Sequence, residues 1–131
     1  MTRQGQGSET ILFVDDEAAI IDYGQEILEH LGYRVTTASS GGEGLELFLA
    51  RPESYSLVIT DQNMPGLTGT GLAREIRRLK PDLPIILMTG LETSEVRKAG
   101  NYITRYLIKP IPLELMARAI REELDGCGLN G

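Results

Sequence analysis

Leu57-Val58-Ile59-Thr60-Asp61-Gln62-Asn63-Met64-Pro65-Gly66 is an apolar, β-branched run that stops on a carboxylate and gives way to turn residues. A run this short and this rich in Val, Ile and Thr reads as a buried strand, and the Asn, Pro and Gly after it read as a loop. The same shape recurs on both sides. Ile11-Leu12-Phe13-Val14 runs into Asp15-Asp16, Ile85-Ile86-Leu87-Met88 into Thr89, and Tyr106-Leu107-Ile108 into Lys109. Strands are therefore expected at Thr10 to Val14, Arg34 to Ala38, Leu57 to Thr60, Ile85 to Thr89 and Arg105 to Ile108.

Between them the period changes. Ile20, Ile27 and Leu31, then Leu72, Ile76 and Leu79, then Met116, Ile120 and Leu124 recur at helical spacing, so each set shares one helix face that should lie on the sheet. Gly41 to Ala50 reads as a second helix through Leu45 and Phe48, and Glu92 to Ala99 as a short, weakly apolar fourth. Strand and helix alternate, which predicts an α/β domain with a doubly wound five-stranded parallel sheet and helices on both faces. No internal repeat interrupts the order, and the proline-bearing stretches Arg51 to Ser56 and Leu79 to Pro84 are connections.

A chain of 131 residues, 41% hydrophobic, suits one domain, with residues 1–8 expected as a flexible lead, 9–125 as the folded unit and 126–131 as a flexible tail. Lys and Arg total 13 against 19 Asp and Glu, a net charge of −6, which disfavours direct binding to nucleic acid and anionic membranes. Met1 to Thr10 is polar and no apolar run is long enough to span a bilayer, so membrane insertion is not expected and the cytoplasm is. Cys127, alone of its kind, is read as a bystander thiol with no internal disulfide.

In open parallel sheets ligands bind beyond the carboxyl ends of the strands, so Asp15, Asp16, Asp61, Thr89 and Lys109 are expected to converge. Three clustered carboxylates repel one another unless a cation joins them, and oxygen donors of this kind suit Mg²⁺. A carboxylate can attack phosphorus to form an acyl phosphate, while a metal, an ammonium and a hydroxyl oppose the developing charge. Each residue alone also has an ordinary use. Asp15 and Asp16 could cap a helix, Asp61 could begin a turn, Thr89-Gly90 could end a strand, and Lys109 could be solvated before Pro110. Their joint occurrence favours the shared site.

These residues resemble the receiver domain of response regulators and hybrid histidine kinases over about Glu9 to Leu124. Val14-Asp15-Asp16-Glu17 resembles that family's acidic pocket, Thr60-Asp61-Gln62-Asn63-Met64-Pro65-Gly66 its phosphoacceptor loop, Met88-Thr89-Gly90 its switch hydroxyl, and Tyr106-Leu107-Ile108-Lys109-Pro110 its aromatic and lysine pair. The resemblance implies a flavodoxin-like sheet in the order 2-1-3-4-5. It implies that Asp61 takes a phosphoryl group, that Asp16 and Asp61 bind Mg²⁺ directly with the Asn63 carbonyl, and that Asp15 acts through metal-bound water. Thr89 and Lys109 would contact phosphoryl oxygens, Gly90 would leave room for them, Tyr106 would change rotamer with Thr89, and Lys109-Pro110 would be cis. Implied partners are a sensor histidine kinase or histidine phosphotransfer domain, a downstream protein or attached output domain, and a second copy in a weak homodimer. Such a chain would be a switch that catalyses its own phosphorylation and dephosphorylation rather than an enzyme acting on other substrates. Gly7-Ser8-Glu9-Thr10-Ile11-Leu12 resembles the lead-in to receivers attached behind histidine kinases, so a fragment and a stand-alone regulator are both compatible with it.

One stretch departs from the family. Gly100 is followed by Asn101-Tyr102-Ile103-Thr104-Arg105 where a Gly-Ala pair is usual, which leaves open the shape of the surface there and makes Tyr102 a second candidate for the aromatic role. Two other functions fit the sequence less well. An aspartyl-phosphate hydrolase of the haloacid dehalogenase type calls for Asp-x-Asp, which Asp15-Asp16-Glu17 lacks, and a non-phosphorylated interaction module would have lost Asp61 or Lys109. Gly66 to Gly71 lacks nucleotide-loop spacing and reads as a flexible loop entering a helix. His30 is expected on a helix surface, and Arg74, Arg77, Arg78 and Lys80 on a solvated helix face, with partner docking as the alternative reading.

Overall fold

The computed structural model describes residues 9–90 and 93–129. Its elements are β1 (Thr10–Val14), α1 (Ala18–His30), β2 (Arg34–Ala38), α2 (Gly41–Ala50), a 3₁₀ turn (Pro52–Ser54), β3 (Leu57–Asp61), α3 (Gly69–Leu79), β4 (Ile85–Thr89), α4 (Ser94–Lys98), β5 (Arg105–Ile108) and α5 (Leu113–Leu129). The strands pair in parallel in the order β2-β1-β3-β4-β5, the doubly wound arrangement expected from the sequence. Because β1 is followed by β2 on one side and β3 on the other, the winding reverses at β1 and β3. That reversal opens a crevice at their carboxyl ends.

The two faces of the sheet carry separate cores. Leu12, Val14, Val58, Ile85 and Leu87 pack with Phe48, Leu72, Ala73, Ile76 and Val96, which places α2, α3 and α4 on one side. Ile11, Phe13, Leu57, Ile59, Ile86 and Met88 pack with Leu28, Ala119 and Ile120, which places α1 and α5 on the other. β3 and β4 are buried along their whole length, consistent with unbroken apolar runs covered on both faces. α2 has a well-formed start: the Ser40 hydroxyl accepts from the Glu43 amide at 3.0 Å, and the Glu43 carboxylate accepts from the Ser39 amide at 2.7 Å.

Three boundaries differ from the sequence reading. Leu31 and Leu79 are 41% and 52% exposed because the helical spacing was followed one step past the packed face; in α1 the buried residue is Leu28. α5 continues through Gly126 and Gly128 to Leu129, where a tail was expected from 126 onward. A glycine costs a helix about 1 kcal/mol, which does not end one already held by Met116, Ile120 and Leu124 against the sheet. Residues 1–8 and 130–131 lie outside the described residues, as does the side chain of Cys127. The fourth helix begins at Ser94, with Thr93 capping it through its hydroxyl, and Glu92 lies outside the described residues.

Candidate functional site

The predicted residues meet at the crevice. Asp15 follows β1, Asp61 ends β3, Thr89 ends β4, and Lys109 follows β5. Asp15, Asp61 and Thr89 are buried, whereas Asp16 is exposed. Oxygens of Asp15, Asp16 and Asp61 lie within 4.8 Å of one another, and the Lys109 ammonium reaches Asp61 Oδ1 at 2.5 Å. The Lys109 amide also donates to the Thr89 carbonyl at 2.9 Å, so β4 fixes where the lysine leaves the sheet. The Lys109-Pro110 peptide is cis. Asn63 is exposed two positions beyond Asp61.

The helix-cap reading of the first acids gives way here. Glu17 is the N-cap of α1, and Asp15 uses Oδ1 to accept the Glu17 amide at 2.9 Å, which turns the chain between strand and helix. Its other oxygen, Oδ2, is buried with no hydrogen-bond partner among the described residues. An orphaned carboxylate oxygen beside two further acids fits a divalent cation, which would satisfy it and cancel the repulsion. Burial pushes the Asp15 carboxyl above its ordinary pKa. Asp61 and Asp16 add to that, against the Glu17 amide and Lys109. For Lys109 burial works against the charge, but the hydrogen bond and charge of Asp61, with Asp15 and Glu17, hold its pKa above the ordinary lysine value.

The loop after Asp61 is pinned at its first residue to the start of α3, which begins at Gly69, inside the stretch read as a loop. Gln62, buried, accepts the Thr70 amide on Oε1 at 2.8 Å, donates to the Thr70 hydroxyl at 3.3 Å, and accepts the Gly69 amide on its own carbonyl at 3.2 Å. A Cβ on Gly69 would collide with the Asp61 carbonyl, so α3 starts against the back of Asp61. Nothing in the sequence shows that the Gln62 side chain turns inward.

Of the two aromatic candidates, Tyr106 is 36% exposed and donates its hydroxyl to the Val96 carbonyl of α4 at 3.2 Å. Tyr102 instead packs against the core beneath α3 and α4. Beside Lys109, a cavity of about 460 Å³ opens between α1 and α5, with Phe13, Ile20, Ile27 and Met116 in its wall and Glu17 at its rim. His30 is on an exposed position of α1, as expected.

Residues 11–121 match the response regulator receiver domain family. A hydrogenase transcriptional regulatory protein, HoxA of Cupriavidus necator, is 35% identical over 93% of this chain and 25% of its own length. The chain spans less than half the length of such curated relatives. A response regulator receiver domain protein from Clostridium thermocellum superposes with a TM-score of 0.86 at 33% identity, covering 94% of this chain and 99% of that one. The response regulator TrrA from Thermotoga maritima, in complex with Mg²⁺ and BeF, gives 0.78 at 35% identity, covering 88% and 99%. With this fold, and with acids, hydroxyl and lysine at the ends of the same strands, the chain belongs to the response regulator receiver domain family.

Proposed function

We propose that Asp61 is the phosphoacceptor and that the domain catalyses its own phosphorylation from a histidine-bound phosphoryl group. The observation that carries this reading is the setting of Asp61, a buried carboxylate with one oxygen on the Lys109 ammonium and two other acids within 4.8 Å. An Asp61 oxygen attacks phosphorus, the P–N bond of the phosphohistidine breaks, and its electron pair leaves on the imidazole nitrogen, which takes a proton from water. Lys109 and the Thr89 hydroxyl hold phosphoryl oxygens as the phosphoryl group passes to Asp61. Attack of water on the same phosphorus later returns Asp61 and releases inorganic phosphate.

Asp15, Asp16, Asp61 and the Asn63 carbonyl would hold Mg²⁺, which when bound supplies positive charge to the phosphoryl oxygens. The switch runs from Thr89 to Tyr106, whose hydroxyl already reaches α4. The donor is a sensor histidine kinase or histidine phosphotransfer domain, resting on the apolar wall between α1 and α5 beside Lys109. Output passes to a downstream protein or an attached domain in the cytoplasm. Among the described residues no helix is long and apolar enough to cross a membrane.

Acetyl phosphate tests this without a kinase, because a small donor suffices if the site itself directs transfer. Intact-mass spectrometry with Mg²⁺ is expected to show a single phosphate adduct, labile in alkali, that is absent in Asp61→Asn. An undiminished adduct in that variant would assign the chemistry to another residue.

A further inference from the structure

A second cavity, of about 420 Å³, lies between α3 and α4 on the face of the sheet opposite α1 and α5. Thr70 and Arg74 line it from α3, Ser94 and Lys98 from α4, and Tyr102 from the segment that follows. Among the described residues no carboxylate lines it, although the chain carries 19 acids against 13 bases.

Its two cations are poorly compensated. Lys80, Arg105 and Arg121 hold carboxylates at 2.7 to 3.0 Å, but the carboxylate oxygen of Glu75 is 3.9 Å from Arg74, and Lys98 has no ion pair among the described residues. The wall between the two helices is fixed. The Tyr102 carbonyl accepts from Arg77 at 2.6 Å, and the side chain packs on the core. The first amides of α3 are already taken, Thr70 by Gln62 at 2.8 Å and Gly71 by the Thr68 hydroxyl at 3.2 Å. An anion in this cavity would therefore be held by side chains rather than by the start of the helix.

We propose that the α3–α4 cavity binds a small phosphate-bearing ligand, clamped between the Arg74 guanidinium and the Lys98 ammonium. Guanidinium and ammonium groups both take phosphate oxygens well, the first through its planar fork and the second as a point charge. The volume falls within the range of small-molecule sites. The hydroxyl of Ser94 lines the same cavity and offers a further donor. This site is separate from Asp61 and does not depend on its chemistry.

The test uses pyrophosphate as the probe, with ¹⁵N-labelled Asp61→Asn protein in EDTA and moderate salt, so that the acidic crevice contributes nothing and failure here leaves the reading of Asp61 untouched. Saturable amide shifts are expected at Gly71, Arg74, Ser94 and Lys98. The double variant Arg74→Gln, Lys98→Gln should weaken binding by about tenfold or more, with unchanged melting since both side chains are at the surface. Shifts that grow linearly without saturating, shifts centred on Asp15 and Lys109, or equal titration of the double variant would each overturn the proposal. Sulfate matching pyrophosphate shift for shift at the same concentration would overturn it as well, by reducing the effect to general anion screening.

Discussion

At Asp15, burial takes a carboxylate out of water while Asp61 and Asp16 repel it, so its ionised form is costly and its pKa stands above the ordinary value. The consequence has a definite sign. A folded pKa raised above the unfolded one means that ionised Asp15 lowers stability at neutral pH, and the penalty is relieved as pH falls through the raised value. Asp15→Asn keeps an oxygen for the Glu17 amide and removes the charge, so the metal-free domain should gain of order 1 kcal/mol at pH 7 and nothing in acid. Magnesium should stabilise the parent more than this variant, because a ligand contributes only through its binding to the native state. Thermal melts in EDTA and across a Mg²⁺ series check both, and equal Mg²⁺ responses would remove Asp15 from the metal site. Glu43 has the opposite sign. The Ser39 amide, and after it the Ser39 hydroxyl, hold its pKa below the usual glutamate range. Its contribution is present above the unfolded pKa and lost as pH falls through the folded one. Melts of the parent and Glu43→Gln should differ at neutral pH and converge in acid.

Among the elements, α3 shows how far periodicity reaches. The spacing of Leu72 and Ile76 marked its buried face, and both are fully buried. The cluster Arg74, Arg77, Arg78 and Lys80 reads as a solvated face, whereas the structure half-buries Arg77. Its guanidinium donates to the Lys80, Pro81 and Leu83 carbonyls at 3.0, 3.0 and 2.7 Å and to the Tyr102 carbonyl at 2.6 Å. Burial lowers its pKa, offset in part by Asp82. A helical wheel locates a side chain around its own axis but does not show which loops fold over it. For that reason Arg77 and Gln62 were illegible, while the strands, set by apolar runs and their polar ends, were not. Arg77 also resolves the departure at Asn101-Tyr102-Ile103: the bulkier path is held to α3 through the Tyr102 carbonyl, and Ile103 is buried. Arg77→Ala should then cost about 2 kcal/mol in urea unfolding, since several carbonyls lose their donor together. A loss below a few tenths would return Arg77 to the solvated face.

For the whole molecule, the parallel order β2-β1-β3-β4-β5 turns scattered residues into a site. Asp15, Asp61, Thr89 and Lys109 were legible one by one as polar ends of apolar runs, and their convergence followed from the rule that parallel strands present their carboxyl ends on one edge. What the pattern did not carry was depth. Asp15 is buried with one oxygen unpartnered among the described residues while Asp16, its neighbour, faces solvent, a difference set by the turn into α1 rather than by residue type. Borohydride trapping shows which of these three carboxylates accepts the phosphoryl group. Reduction of an acyl phosphate converts the modified aspartate into homoserine, a stable mark that peptide sequencing by mass spectrometry assigns to a single position. After phosphorylation with acetyl phosphate and Mg²⁺, homoserine is expected at position 61 and nowhere else. Homoserine at position 15 or 16, or no homoserine in a protein that has gained a phosphate, would contradict the account.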